Sequence, residues 1–329
     1  MKGGKKMAID IIALKDLSND ILNRKVKNYS QCEDALRKEI IDICGGEWGQ
    51  YTFFENKYKI FQILSETITD KVNRLTEEAF SDFCDVENFD LGNKKEFTVK
   101  NTDLLRIANI AEGKNSTRRQ RLLEKKVPTS AFKLAIAIYE EFDRFITGRI
   151  DWSEMVDRVS STFQHHIAEA IASTMEGAYT SVHTNLKTSA AYSDKDLKKI
   201  VNKVKGATGQ SVAIYGTPEA VGNIEGVGAD LDKDDKRNFG YVKNFSGTPV
   251  IELPNYYDVE RDKWALSNNI LYVIPNDEKI IKLGFEGNTL IIENTDGTIR
   301  DDQQIEMFMS RKMHLGVVVA SKFGMYKIQ

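Results

Sequence analysis

The sequence predicts an α+β protein of about two domains built around one long helix, and three observations lead there. Residues 150–175 place apolar side chains at steps of three and four, from Trp152 through Val156, Val159 and Phe163 to Met175. That spacing lays one apolar stripe along a helix of about seven turns. Residues 95–126 lack such a stripe; β-prone patches there flank a polar tip, Glu112-Gly113-Lys114-Asn115-Ser116, as in a long hairpin. After Gly177 short apolar strands alternate with polar helices, and the chain ends in a run of strands. With 329 residues, 41% apolar and 29% charged, the chain can bury sizeable cores.

Taken in order, residues 1–50 read as mostly helical and polar enough for an arm, with Gly45-Gly46 as a hinge. From Phe54 to Phe83 apolar residues again step by three and four, which predicts a second long helix. The hairpin follows, its outgoing limb running through Pro128 into Phe132, Leu134, Ile136 and Ile138. A short helix, Tyr139 to Thr147, then leads into the spine. Asp151 and Glu154 form a capping-box pattern at its start, and Gly177 is placed to end it in a left-handed turn. Asp194 to Lys205 is a helix with Leu197, Ile200, Val201 and Val204 on one face. Ser211–Tyr215 is a strand, and Thr217 caps a helix with Pro218 at its first position. Residues 229–240 read as a charged loop. Strands are expected at Pro249–Leu253, Ile270–Ile274, Lys279–Leu283 and Thr289–Glu293, with Asn276-Asp277 as the turn between the second and third. A last run, Ile305 to Ile328, is broken at Gly316 and Gly324, and the β-branched Val317-Val318-Val319 is expected to be covered on both faces.

Several functions are excluded or left without support. No uncharged apolar run approaches about 18 residues, which argues against a membrane span. The N-terminus lacks a signal-peptide pattern, since Asp10 and Lys15 interrupt its apolar patch. Cys32, Cys44 and Cys84 form no C-x-x-C pair and fit reduced thiols. His165 and His166 point about 100° apart on a helix and cannot jointly hold a metal. The segment from Asp230 opens like a calcium loop but has Asp235 where glycine is needed and Tyr241 where glutamate is needed. No phosphate-binding glycine motif and no nucleophile elbow occurs. No catalytic residue, cofactor or metal site is therefore expected. The net charge of −3 is uninformative, but its distribution is not. Residues 94–126 hold ten Lys/Arg against four Asp/Glu, and residues 286–306 hold six acids against Arg300 alone. Opposite charges in separate segments point to a meeting of the two, within one chain or between copies.

The order of parts, with Ile150-Asp151-Trp152-Ser153-Glu154, Ser211-Val212-Ala213-Ile214-Tyr215-Gly216-Thr217-Pro218 and Leu271-Tyr272-Val273-Ile274-Pro275, resembles the major capsid proteins of tailed bacteriophages, the Hong Kong 97 phage fold. The resemblance implies an N-terminal arm (1–50), a helical segment of the peripheral region (51–93) and an extended hairpin, the E-loop (94–127). A peripheral domain with the spine helix (128–185), an α/β axial domain (186–283) and peripheral return strands (284–329) complete the order. It implies a shell protein, not an enzyme, that forms hexamers and pentamers of an icosahedral head around double-stranded DNA. Its partners would be copies of itself, a separate scaffolding protein and a portal, with no membrane. The place would be the virion capsid, assembled in the host bacterial cytoplasm. An encapsulin-type compartment has the same order of elements but usually starts with a short helix instead of a 50-residue arm. An α/β enzyme or a nucleic-acid-binding module is the reading from other classes.

The expected sites are contacts. Arg118, Arg119, Arg121, Lys125 and Lys126 on the E-loop would meet Glu293, Asp301 and Asp302 of the next copy. In such a shell Asp230, Asp232, Asp234 and Asp235 would ring the capsomer centre. Trp152 and Phe163 would face the C-terminal strands in the spine's core.

Overall fold

A computed structural model describes residues 35, 37–38, 40–42, 46, 50–82, 84–93, 96–99, 107, 125–127, 129–140, 152–225, 231–276, 279–293, 305–318 and 322–329. The chain divides into two compact units, each assembled from distant segments. One comprises Met1–Glu78, Phe132–His166 and Phe285–Met313; the other comprises Ala79–Ala131, Ile167–Gly284 and His314–Gln329.

In the first unit the dominant element is α1, Gln50–Phe80. It buries Ile60, Phe61, Leu64, Ile68 and Val72, the stripe that its sequence spacing sets. The spine helix α2, Trp152–Ala178, starts in this unit and buries Val156, Val159 and Phe163. Lys71 of α1 pairs with Asp157 of α2, and Gln164 Nε2 donates to the Leu75 carbonyl at 3.3 Å. Strand β4, Ser130–Glu140, belongs largely here. It lies at one end of a four-stranded sheet in the order β1 (Cys84–Phe89), β12 (Ile281–Glu293), β13 (Ile305–Val317), β4.

The second unit is organised on a six-stranded sheet. Its order is β5 (Lys187–Ala190), β14 (Gly324–Ile328), β11 (Ile270–Pro275), β6 (Val212–Gly216), β8 (Thr248–Glu252), β7 (Asn244–Phe245). β11 runs antiparallel to both neighbours, with Tyr272 opposite Tyr215 on one side and Met325 on the other. Every residue of β6 and β11 is buried, which is why both read as unbroken apolar runs. Helix α3, Asp194–Thr208, lays Leu197, Ile200, Val201 and Val204 on this sheet. Gly209, at φ +69, ends that helix in the left-handed region. The five-residue helix α4, Pro218–Gly222, is capped by the Thr217 hydroxyl, which accepts from the Ala220 N–H at 3.4 Å. Among the described residues no helix is long and apolar enough to cross a membrane.

Seven local expectations need correction. Residues 231–239 form a helix, α5 (Leu231–Phe239), where a charged loop was expected. The stretch has no glycine or proline, spaces Asp232 and Lys236 four apart, and puts Lys236 and Arg237 in the last turn. Gly240, at φ +83, terminates it with a bond from its N–H to the Lys236 carbonyl at 2.9 Å. Tyr139 and Glu140 belong to β4 and not to a helix, because pairing with the long β13 outweighs local preference. Helix α2 passes through Gly177 and ends a residue later. The two strands expected at Lys279–Leu283 and Thr289–Glu293 are one, β12, and Gly316 lies inside β13. Asn276 therefore leads from one sheet to another; it does not close a hairpin, since β11 and β12 lie in different sheets. Finally β14, grouped by the sequence with the peripheral return strands, pairs in parallel with β5 and antiparallel with β11. A local pattern identifies a strand but not the neighbour it will find.

Candidate assembly surfaces

Two short strands flank the segment expected to form a long hairpin. β2, Phe97–Val99, pairs antiparallel with β3, Lys125–Val127, in the register Phe97 to Val127, Thr98 to Lys126 and Val99 to Lys125. Lys125 and Lys126 lie on β3. Arg118, Arg119 and Arg121 lie outside the described residues, as does the tip. Of the acidic set, Glu293 is the last residue of β12, and Asp301 and Asp302 lie outside the described residues. The two sets are not brought together among the described residues.

Of the four aspartates expected in one loop, Asp232, Asp234 and Asp235 stand on helix α5, and Asp230 is outside the described residues. Asp235 Oδ2 accepts the Lys243 N–H at 3.4 Å. Lys243 Nζ lies 3.2 Å from the centroid of the Phe239 ring, at the end of the same helix. The Tyr241 hydroxyl nearby is pushed above its ordinary range, first by burial and then by Glu252 and Asp235. Of the two residues expected in the spine's core, Phe163 is 3% exposed and Trp152 is the first residue of the helix.

One polar arrangement in the first unit was not anticipated. Ser65, Thr69 and Asn73 recur every four residues along α1 and face β12 and β13. The Ser65 hydroxyl donates to the Thr289 carbonyl, and the Thr289 N–H donates to Thr69 Oγ1 at 2.9 Å. Arg311 completes the seam. It is 1% exposed, donates through Nη1 to the Thr69 carbonyl at 3.3 Å and through Nη2 to Asn73 Oδ1, and lies 4.2 Å from the Phe285 ring centroid. Burial lowers its pKa to about 10, with Asp70 opposing, so the guanidinium stays charged at neutral pH. The signal in the sequence was the four-residue spacing of small polar residues, which reads as a solvated face until a buried arginine is placed against it.

Among the described residues no group of three or more His, Cys, Asp or Glu side chains is placed to hold a metal ion. Cys84 is a buried free thiol whose pKa is pushed up to about 12, chiefly by burial and then by Asp85. A thiol held protonated is a poor nucleophile.

Comparison with known proteins gives these features a context. A model of the family described as SPbeta prophage-derived putative capsid protein YonB matches residues 13–327. No curated protein matches the sequence. Among solved structures, a chain of the satellite phage P4 procapsid that includes the size-determination (Sid) protein is similar at a TM-score of 0.50. Its identity is 9%, over 86% of this chain and 98% of that one. The mature capsid of bacteriophage PhiM1 gives a TM-score of 0.49 at 10% identity, covering 76% and 86%. The virus-like particle from Pyrococcus furiosus gives 0.48 at 11%, covering 82% and 99%. Such low identities speak to fold and not to contacts. The family model spans nearly the whole chain, and the mixed helix-and-sheet fold agrees with it: the chain belongs to the family of the SPbeta prophage-derived putative capsid protein YonB, and is a phage capsid protein of the Hong Kong 97 type.

Proposed function

We propose that this chain is the repeating subunit of an icosahedral phage head, arranged in hexamers and pentamers around double-stranded DNA. The match of the capsid family over residues 13–327 carries this reading and favours it over a cargo compartment. In it, residues 1–50 are an arm, 94–127 the E-loop, and the spine and sheet segments the peripheral and axial domains. A separate scaffolding protein and a portal complete the head, which is built in the host cytoplasm. The basic E-loop residues Arg118, Arg119 and Arg121 meet Asp301 and Asp302 of a neighbouring copy. The antiparallel pairing of β2 with β3, the two strands that flank this segment, supports this reading. Helix α5 lines the capsomer centre, with Asp232, Asp234 and Asp235 repeated around it. The work of such a protein is mechanical, and the buried seam of α1 suits it by tying helix to strands with directional bonds. Expression of the chain with its scaffolding partner, followed by electron microscopy and a nuclease-protection assay on particles from infected or induced cells, tests the reading. Closed shells holding protected DNA are expected. A chain that remains a soluble monomer or dimer with the scaffold present overturns it, and shells loaded with a protein cargo favour the compartment.

A further inference from the structure

On one side of the second unit cations gather in excess of their acidic partners. Residues 177–218 hold six lysines against two acids, Asp194 and Asp196, in a chain whose net charge is −3. Five of the six, Lys195, Lys198, Lys199, Lys203 and Lys205, stand on helix α3, away from the face that Leu197, Ile200, Val201 and Val204 press on the sheet. Lys195, Lys198, Lys199 and Lys203 are exposed. At about 1.5 Å per residue the row runs roughly 15 Å along the helix.

The ammonium groups here are held mainly by neutral oxygens. Lys203 Nζ donates to the Asn185 carbonyl at 3.0 Å, in the 3-10 turn Thr184–Leu186, and Lys205 Nζ donates to Thr248 Oγ1 at 2.8 Å. Lys187 Nζ, on β5, donates to the Tyr179 carbonyl at 2.9 Å, and Lys322 Nζ donates to the Ala207 carbonyl at 3.4 Å. A carbonyl or hydroxyl fixes an ammonium group without cancelling its charge. Among the described residues only Lys199 of the five on α3 pairs with a carboxylate, that of Asp196 at 2.8 Å. Elsewhere in the unit cations do meet acids. Lys282 pairs with Asp85, and Arg261, between β9 (Tyr257–Asp258) and β10 (Lys263–Trp264), lies 3.5 Å from Asp258. Helix stability accounts for Asp194 and Asp196 in the first turn of α3 and for Lys205 in the last, since each complements the macrodipole. It gives no reason for Lys195 in that same first turn, or for Lys198 and Lys199 in the next.

We infer that this side of α3 binds the phosphate backbone of double-stranded DNA, and so faces the interior of the head. The inference rests on the shell reading and deepens it by assigning the DNA a surface. Charge complementarity selects the partner: duplex DNA carries one negative charge per about 1.7 Å of its axis, enough to engage every lysine of the row at once. A second copy of the chain fits poorly, because lysine is depleted in the cores of protein interfaces. Helix α3 has no arginine and no aromatic residue, so the contact grips phosphates without reading bases. DNA-filled heads, and the same heads opened and digested with nuclease, are acetylated with an amine-reactive ester and read peptide by peptide. Lys195, Lys198 and Lys199 should react about fivefold more slowly in filled heads than in emptied ones, since phosphates then occupy their ammonium groups. Equal reactivity in the two overturns the inference and leaves the shell reading intact; failure to obtain filled heads overturns both. Anisotropy of a fluorescent duplex of arbitrary sequence, titrated with dissociated subunit at a series of salt concentrations, adds a second readout. The triple substitution Lys195→Gln, Lys198→Gln and Lys199→Gln should flatten the log–log salt dependence by about 3, close to one per phosphate contact removed. An unchanged slope in a folded variant, or a wild-type subunit that does not bind the duplex at low salt, counts against the inference.

Discussion

Replacing Arg311 by alanine tests whether the polar seam between α1 and its two strands holds the first unit together. Three effects follow from the geometry. The Thr69 carbonyl and Asn73 Oδ1 lose their donor, and a buried polar group left unsatisfied costs about 1–3 kcal/mol. The space beside Phe285 empties, and large-to-small core changes cost about 2–5 kcal/mol. Against these stands relief of the buried charge, whose pKa is already pulled down to about 10 by desolvation. The net expectation is a loss of about 3–4 kcal/mol, since the two losses overlap in the same relaxed cavity. Methionine at the same position keeps most of the volume and carries no charge, so Arg311→Met should cost about half as much or less. Urea unfolding of the dissociated subunit, followed by circular dichroism, reads both. A loss below about 1 kcal/mol for Arg311→Ala refutes the argument. A cycle with Asn73→Ala should return a coupling of about 1 kcal/mol or more, and additive losses would remove Asn73 from the seam.

The remaining predictions concern a close approach, alkaline stability and assembly. A Cβ on Gly324 would stand 2.5 Å from Ile200 Cγ2, 3.1 Å from Val204 Cγ2 and 3.3 Å from the Leu186 carbonyl oxygen. Gly324→Ala should therefore cost about 1–3 kcal/mol in a urea melt, and a neutral effect would mean that α3 and β14 are not packed this closely. The Cys84 thiol is raised from 9.0 to about 12 and the Tyr215 phenol from 10.0 to about 12, each first by burial. Both groups stay protonated in the folded chain while the unfolded chain ionises. Stability should thus be unaffected by them below about pH 9 and fall as the pH rises from there towards 12. Peptide-level alkylation should find Cys84 unreactive at pH 9 in the folded subunit; reaction at the unfolded rate would contradict its burial. Reversal of Arg118, Arg119 and Arg121 to glutamate should leave a folded subunit that assembles poorly. Partial rescue is expected from Asp301→Lys with Asp302→Lys, counted as shells by sedimentation. Normal shells from the triple reversal, or no rescue, would remove this contact.

What the sequence disclosed follows the range over which each physical signal acts. Helix α2 was legible because a stripe at Val156, Val159 and Phe163 is set by residues three and four apart, and burial of that stripe follows directly. The cap at Thr217-Pro218 and the apolar face of α3 were legible for the same reason. Helix α5 was not, because its charges describe a solvated surface equally well in a loop or a helix, and only their i to i+4 spacing separates the two. The strands of β12 were recognised but split, since Gly284 and Gly287 look like punctuation where no partner is visible. Gly324 taught the opposite lesson: read as a break, it is where β14 comes closest to α3, and that closeness requires a residue without a Cβ. Long-range pairing sets both outcomes, and pairing of β14 with β5 across more than a hundred residues leaves no mark in a local window. Arg311 is the limiting case. An arginine among methionines in a strand reads as exposed on one side of a sheet, because a buried charge is costly unless its donors are met. Here Nη1 and Nη2 reach a carbonyl and an amide oxygen of α1, some 240 residues away in sequence, the plane lies against an aromatic face of β12, and Nε is left without a partner among the described residues. The alternation Met307, Met309, Arg311, Met313 places all four on one side of β13, and all four are buried. A charged residue sharing the apolar phase of a strand is therefore the sequence mark of a seam such as this one, and Ser65, Thr69 and Asn73 on α1 are its complement.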